Sequence, residues 1–146
     1  MRLIADDAVA IATVYGEARG ESDDGMTCVA ETIRNRIRAG RGKDATAVCL
    51  APLQFSCWNH DTRWRAAMLS LDVDDPVAQR CAAAWALAQA GSDVARGATA
   101  YLNVEETRRL RGDGTLPFWA RDPTDPTRIN ERLVTVRMGA HVFLRA

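Results

Sequence analysis

The segment from Val14 to Glu21, with the sequence VYGEARGE, contains the strongest candidate for acid chemistry in this chain. Glu17 lies near the end of a predicted helix, where the partial negative charge of the terminus favours the protonated form of a carboxyl. Its neighbours Tyr15 and Ala18 are largely apolar, which acts in the same direction. A carboxyl that is protonated near neutral pH can give its proton to the oxygen of a glycosidic bond. Glu17 is therefore a candidate general acid.

Gly16 leaves a second interpretation of this segment open. A glycine inside a helix costs about 1 kcal/mol relative to alanine, so a closely approaching ligand or backbone would explain it. Alternatively, Gly16 only allows tight helix packing and Glu17 is a solvated surface carboxylate. Arg19 would favour the charged form of Glu17, but side chains two residues apart on a helix do not face each other.

A second cluster, residues 54–59 with the sequence QFSCWN, mixes amides, a hydroxyl and aromatic rings. Sugar-binding sites use aromatic faces against C–H surfaces and polar side chains for hydroxyl groups, so this loop is compatible with glycan binding. In the alternative interpretation Phe55 and Trp58 belong to the core, and Gln54 only holds the loop.

Two helices are predicted to position Glu17. The first is capped by Asp6 or Asp7 and ends before Gly20. Its apolar face has helical spacing at Ala8, Ile11, Ala12 and Tyr15. The second begins within residues 22–24 and stops at Gly40. Its inward positions are Met26, Val29, Ala30, Ile33 and Ile37.

The rest of the chain predicts further helices, loops and a terminal hairpin. Helices are expected at 44–50, at 62–71 and, after Asp75 and Pro76, up to Gly91, with Val77, Cys81, Trp85 and Ala88 inward. Loops are expected at 51–59, at 97–103 (or a short helix there) and at 112–126. β-prone runs at 133–138 and 142–144 flank Gly139 and predict a hairpin. The pattern indicates one α+β, mainly helical domain spanning 1–146, with a small β element.

The charge balance and the hydropathy limit the kinds of partner that this protein can have. Lys+Arg and Asp+Glu both number 19, so no overall basic charge attracts nucleic acid or an anionic membrane. No apolar run reaches the roughly 20 residues of a membrane span, and the stretch before Asp6 is too short for a secretory signal. With 146 residues and 47% hydrophobic content, the chain is expected to fold alone as a monomer. We therefore expect cytoplasmic synthesis without a signal peptide.

The chain has four cysteines, Cys28, Cys49, Cys57 and Cys81. They form no CxxC pair, and His60 and His141 have no matching ligands nearby, so we expect neither a metal site nor a cofactor. Cys28 and Cys81 fall within helical apolar patterns and are predicted to be small buried hydrophobes. Cys49 and Cys57 flank a short loop, which leaves a disulfide between them open.

Five motifs follow one another along most of the chain: Tyr15-Gly-Glu-Ala-Arg-Gly-Glu21; Val29-Ala30 with Asn35-Arg36; Gln54-Phe-Ser56 with Trp58; Gly97-Ala-Thr-Ala-Tyr101 with Asn103; and Gly139-Ala-His-Val-Phe143. Each is weak alone, but five in this order are specific. In them the chain resembles the catalytic domain of the SleB-type cell-wall hydrolases, a family that includes spore-cortex-lytic enzymes and phage endolysins.

The resemblance implies a lysozyme-like fold in which Glu17 is the catalytic acid acting on the MurNAc-GlcNAc linkage of peptidoglycan. It further implies that a set of side chains lines the glycan cleft: Gln54, Phe55, Ser56 and Tyr101, with Thr99 and Asn103 as additional candidates. Tyr101 would orient Glu17, as a tyrosine does in related lytic transglycosylases. His141 matches the last motif, where a structural role at the strand end is favoured over catalysis.

No second carboxylate is marked by an equally clear motif. Each of the three candidates has another interpretation: Glu21 in the turn that caps a helix, Glu31 on a solvated helix face, and Asp61 as an N-cap. A single acid fits lytic transglycosylation, in which the substrate's N-acetyl group and C6 hydroxyl replace the second carboxylate and water. That route leaves a 1,6-anhydro sugar. Hydrolysis by a muramidase route stays open.

The leading hypothesis is a phage endolysin that degrades peptidoglycan glycan strands in the cell wall as a lytic transglycosylase or a muramidase. A virion-associated or bacterial housekeeping hydrolase would have the same sequence features. A non-catalytic glycan-binding module of the same fold is the alternative, and the presence of Glu17 argues against it. An amidase or peptidase would need a metal or a Cys/His nucleophile pair.

Overall fold

The computed structural model of the protein describes residues 5–52, 54–59, 67–68 and 70–146. Its helices are α1 Ala5–Ala18, α2 Asp23–Arg38, α3 Ala45–Cys49, α4 Pro76–Gln89 and α5 Val104–Arg111, with a turn of 3-10 helix at Ser56–Trp58. Its strands are β1 Ala100–Leu102, β2 Arg121–Asp122, β3 Asp125–Ile129, β4 Val134–Met138 and β5 His141–Leu144. The helix predicted at 62–71 falls mostly outside the described residues, as do His60 and Asp61.

Helix α2 forms the centre of the helical core. Ser22 is its N-cap, with a side-chain oxygen that accepts from Gly25 N at 3.1 Å, as its residue type predicts. The predicted inward residues Met26, Val29, Ala30 and Ile33 are fully buried. Helices α1, α3 and α4 pack around this core, and Asp75 caps α4 through Val77 N and Ala78 N.

Asp6 and Asp7 do not cap α1, contrary to the prediction. They lie within its first turn, and their side chains bind other elements. Asp6 accepts from Ala45 N at 3.1 Å and from Thr46 N at 2.7 Å, while Asp7 accepts from Trp85 Nε1 at 2.9 Å. These carboxylates therefore attach α1 to α3 and α4.

The predicted terminal hairpin is confirmed and belongs to a three-stranded antiparallel sheet with the order β1-β5-β4. The prediction of a loop or short helix at 97–103 was wrong for its second half, since Ala100–Leu102 is a strand. Tyr101 pairs with Phe143 in β5. Three residues are too few to show a periodic pattern, and the strand exists because β5 supplies its hydrogen bonds.

A second, smaller core lies on the other side of β5. Phe143 belongs to the helical core and Leu144 to the small one, because successive strand residues face opposite sides. The surface loop predicted at 112–126 was wrong in part: it contains β2 and begins β3, and Leu116 and Ala120 in it are fully buried.

Helix α5 was not anticipated from the sequence, and none of its residues is buried. No helix in the described part of the chain combines the length and the apolar character needed to cross a membrane. All four cysteines are buried thiols, so the Cys49–Cys57 disulfide that the sequence left open is not formed in this structure.

Candidate active site

Glu17 is the penultimate residue of α1 and is held by the loop at 54–59. Its Oε1 accepts a hydrogen bond from Cys57 N at 3.2 Å. A Cβ on Gly16 would overlap Met68 Sδ and lie 2.6 Å from Cys57 Cβ, so the glycine allows this loop to reach α1. The packing interpretation of Gly16 is therefore correct. Glu17 itself is partly buried and hydrogen-bonded, not a solvated surface group.

A cavity of about 340 Å³ opens beside Glu17, within the size range of small-ligand sites. Four parts of the chain meet there: the end of α1, the turn to α2, the start of α5 and the β4–β5 turn. The lining residues are Gly16, Glu17, Ala18, Arg19, Gly20, Glu21, Asn103, Ala140 and His141. The charged or titratable residues of the lining are therefore two glutamates, an arginine and a histidine.

Tyr101 lies on the sheet next to this cavity. Its ring contacts His141 edge-on at 5.1 Å between centroids, and Phe143 at 5.4 Å. Its hydroxyl oxygen is buried and makes no hydrogen bond of standard geometry with a described atom. Burial first, and then the nearby carboxylate of Glu17, raise the pKa of Tyr101 well above its ordinary value. Tyr101 is thus a protonated phenol close to Glu17.

Arg36 contacts two of the segments that surround the site. Its Nε donates to Thr99 O at 2.6 Å, and its guanidinium lies 4.7 Å from the centre of the Phe55 ring. Burial lowers the pKa of Arg36, and the proximity of Tyr101 and Glu17 opposes that decrease. The preceding Asn35 donates from Nδ2 to Ala98 O at 2.8 Å. The Asn35-Arg36 motif therefore fixes the backbone that leads into β1 and Tyr101.

Glu21 and His141 form a pair on the cavity wall. Glu21 Oε1 lies 3.3 Å from His141 Nδ1, and both side chains are largely buried. Burial lowers the pKa of His141, while the carboxylates of Glu21 and Glu17 oppose that decrease. The sequence placed Glu21 only in the turn between α1 and α2; the structure also places it in the cavity that contains Glu17.

Comparisons with known proteins give the family of the chain. A family model described as Cell Wall Hydrolase matches residues 20–144. The chain belongs to the cell wall hydrolase family. The matched range begins just after Glu17, so the assignment of Glu17 depends on its motif and surroundings. A search of curated proteins gave no match.

Among solved structures, the catalytic domain of the Bacillus cereus SleB protein has a TM-score of 0.65 and 22% sequence identity, over 98% of this chain and 92% of that chain. This likeness confirms the mainly helical, α+β, lysozyme-like fold. Family membership supports a peptidoglycan-degrading enzyme that acts on the cell wall.

The remaining predicted site residues of this cell wall hydrolase occupy different environments. Asn103 lines the cavity and also caps α5 by accepting from Glu106 N at 3.0 Å. Phe55 is buried, 6.5 Å from the Tyr101 ring, whereas Gln54 and Ser56 are exposed on the same loop. The lining of the cavity includes none of Gln54, Phe55, Ser56, Thr99 and Tyr101. The Thr99 hydroxyl donates to Ala146 O at 2.9 Å.

Glu31 is not on a solvated helix face, and this prediction was wrong. Its side chain is fully buried and accepts from Ser92 Oγ at 2.5 Å, Val94 N at 3.0 Å and Ala95 N at 2.7 Å. The carboxylate satisfies donors in the loop that precedes β1. Glu31 therefore has a structural role and does not line the cavity.

A larger cavity of about 660 Å³ lies between α1 and α4. Alanine and other apolar side chains dominate its lining, and Asp72 is the one charged residue there among the described residues. It contains none of the predicted site residues. Because acid catalysis needs a positioned titratable group, the smaller cavity is the candidate active site.

Proposed function

We propose that this hydrolase cleaves the MurNAc-GlcNAc bond of peptidoglycan as a lytic transglycosylase, with Glu17 as the general acid. One observation carries the proposal: Glu17 is partly buried at the edge of a polar cavity, with a backbone N–H bound to its carboxylate and a phenol close by. The family match and the SleB-like fold supply the substrate class.

In the proposed step, protonated Glu17 gives its proton to the glycosidic oxygen while the bond from that oxygen to C1 of MurNAc breaks. The substrate's N-acetyl group stabilises the positive charge that develops at C1. The C6 hydroxyl of the same sugar then attacks C1 and loses its proton. The products are a 1,6-anhydro-MurNAc end and a free GlcNAc hydroxyl.

Two hydrogen-bond donors would stabilise the Glu17 carboxylate during this step. Proton transfer leaves a carboxylate, which Cys57 N–H stabilises through the bond already present. The buried Tyr101 hydroxyl has no other acceptor of standard geometry in the described structure, so it is available to donate to the same carboxylate. Tyr101 would thus orient the acid and stabilise its charged form.

The glycan would extend from the cavity, which Asn103 lines, over the loop at 54–59 that binds Glu17. Gln54 and Ser56 expose polar side chains on that loop. Phe55 would support that loop from below, since its ring is buried. Thr99 would reach the glycan only if its hydroxyl left Ala146.

Fragment analysis by mass spectrometry tests this proposal. Digestion of purified peptidoglycan by the wild type should release muropeptides with 1,6-anhydro-MurNAc ends, and Glu17→Gln should release almost none. Reducing MurNAc ends would instead establish the second candidate, a hydrolytic muramidase. Cleaved peptide bonds, or binding without released fragments, would overturn the glycosidase assignment. The exposed Glu105, changed to Gln, is the matched control.

The biological setting that we propose is lysis of a host cell by a phage endolysin. Expression together with a protein that permeabilises the inner membrane should lyse bacteria. Lysis that persists with Glu17→Gln would contradict an enzymatic cause.

A further inference from the structure

The proposed transglycosylation needs a group that takes a proton from the attacking hydroxyl. The Glu17 carboxylate left by the first step is one such group, and a separate base in the cavity is another. Within the described residues, the cavity contains one side chain whose neutral form is a strong proton acceptor, His141. It lies on β5, and its ring contacts that of Tyr101 edge-on at 5.1 Å between centroids.

The two nitrogens of His141 have different surroundings. Nδ1 is buried and lies 3.3 Å from Glu21 Oε1, without a hydrogen bond of standard geometry to any described atom. The side chain as a whole keeps 13% of its surface exposed and lines the cavity. Because Nδ1 contributes nothing to that exposure, a ligand in the cavity that bonds to a ring nitrogen would have to bond to Nε2. A carboxylate beside Nδ1 favours the tautomer that carries the proton there, which leaves an acceptor lone pair on Nε2.

We propose that His141 is the general base of this enzyme and that Glu21 is the residue that positions it, an inference that rests on the glycosidase function proposed above. His141 Nε2 takes the proton of the MurNAc C6 hydroxyl as its oxygen bonds to C1. Glu17 has by then protonated the leaving oxygen. The cycle ends with His141 protonated and Glu17 ionised, and solvent returns the proton from one to the other.

The backbone near Glu21 and His141 allows these two residues to come close. Gly139, in the β4–β5 turn, has a φ of +57°, and a Cβ there would overlap Glu21 Oε2. The turn can therefore approach the Glu21 carboxylate closely only with glycine at this position. This close contact places the turn that follows α1 and the start of β5 next to each other in the wall of the cavity.

Two variants of His141 distinguish a catalytic role of this residue from a purely structural contact with Glu21. His141→Asn keeps an amide donor where Nδ1 meets Glu21 but has no base at the Nε2 position. We expect its kcat on purified peptidoglycan to fall roughly 100-fold or more, with KM changed less than about threefold and the melting temperature nearly unchanged. His141→Gln, which loses the tie to Glu21 but keeps polarity near Nε2, should lose kcat equally.

The pH profile gives a second readout. Among the described residues, the titratable groups around His141 are Glu17 from α1, Glu21 from the α1–α2 turn and Tyr101 from β1, and Arg19 lines the same cavity. A base acts when deprotonated, so the rate should fall as the pH decreases through the pKa of His141, which burial places below its ordinary value. Removing the negative charge with Glu21→Gln lowers that pKa further, so this limb should move to lower pH.

The outcomes distinguish this inference from the proposed function. If Glu17→Gln is inactive while His141→Asn keeps more than half of the wild-type kcat and the same acidic limb, the base assignment fails and the glycosidase assignment stands. If Glu17→Gln keeps full activity, the proposed function itself fails. If neither His141 variant folds, the inference is supported by a shift of the acidic limb in Glu21→Gln and contradicted by an unchanged limb.

Discussion

At the scale of the residue, the groups that lie next to the Glu17 carboxylate come from distant parts of the chain. Cys57 N–H comes from the loop after α3, and the Tyr101 hydroxyl comes from β1. Neither is a neighbour of Glu17 in the sequence. The local sequence pattern therefore suggested that Glu17 is an acid but could not show which groups position its side chain. The order of the motifs indicated Tyr101, and the structure places it near the carboxylate.

Tyr101→Phe tests the role of that phenol. The hydroxyl makes no hydrogen bond of standard geometry in the described structure, so its loss should change the free energy of unfolding by less than about 1 kcal/mol. Because its proposed partner is the Glu17 carboxylate formed during the reaction, kcat should fall roughly 10- to 100-fold. Peptidoglycan turnover and urea unfolding measure the two effects. Unchanged kcat would exclude Tyr101 as an orienting group.

Glu21 and Glu31 show the limits of inference from residue type. Both were interpreted as surface or capping acids, because a carboxylate between helices or on a helix usually meets water. Glu31 instead binds three donors in the 92–95 loop, and Glu21 contacts His141. Their partners lie more than 60 residues away in sequence, so no local pattern contains the information.

At the scale of the element, the predictions succeeded where a pattern was long or had a clear cap. Helices α2 and α4 and the terminal hairpin have apolar spacing together with Ser22, Asp75 or Gly139 at their boundaries. Strand β1 and helix α5 were missed because they are short and are stabilised by β5 and by the Asn103 cap. The missed strand is the one that contains Tyr101.

Gly16→Ala tests the contact between α1 and the loop that binds Glu17. Alanine favours a helix by about 1 kcal/mol, but its Cβ would overlap Met68 Sδ and crowd Cys57. We expect a net loss of roughly 1–3 kcal/mol in the free energy of unfolding, together with lower kcat, because Cys57 N–H is displaced from Glu17. Gly20→Ala is the matched control for the stability measurement alone, since a Cβ there meets nothing within 4 Å but Gly20 lines the cavity. A stabilised, fully active Gly16→Ala variant would contradict the packing described.

At the scale of the whole molecule, the two cores meet at β5, and the candidate active site lies where the helical part joins the sheet. Composition and periodicity predicted a mainly helical α+β fold, which the SleB-like structure confirms. They could not predict the small core around Leu116 and Leu144, because its residues are scattered through segments rich in glycine, proline and charge. Only the assembled fold brings those residues together.

The four buried cysteines give a test of the whole fold. Burial raises the pKa of Cys28 and Cys49 to about 12 and that of Cys81 to about 11, and it also raises the pKa of Cys57. A thiol must be both accessible and ionised to react. A disulfide-exchange reagent at pH 8 should therefore label none of them in the native protein and all four in denaturant. Fast native labelling, or a Cys49–Cys57 disulfide found by mass, would contradict this packing.

The central claim is that Glu17 supplies the proton for glycan cleavage, and one rate comparison tests it most directly. The initial rate of peptidoglycan solubilisation should fall roughly 1,000-fold or more in Glu17→Gln. Its melting temperature should stay close to that of the wild type, because the amide oxygen can still accept from Cys57 N–H. The exposed Glu105→Gln control should match the wild type in both. A Glu17→Gln variant that folds and solubilises peptidoglycan at more than a tenth of the wild-type rate would contradict the account.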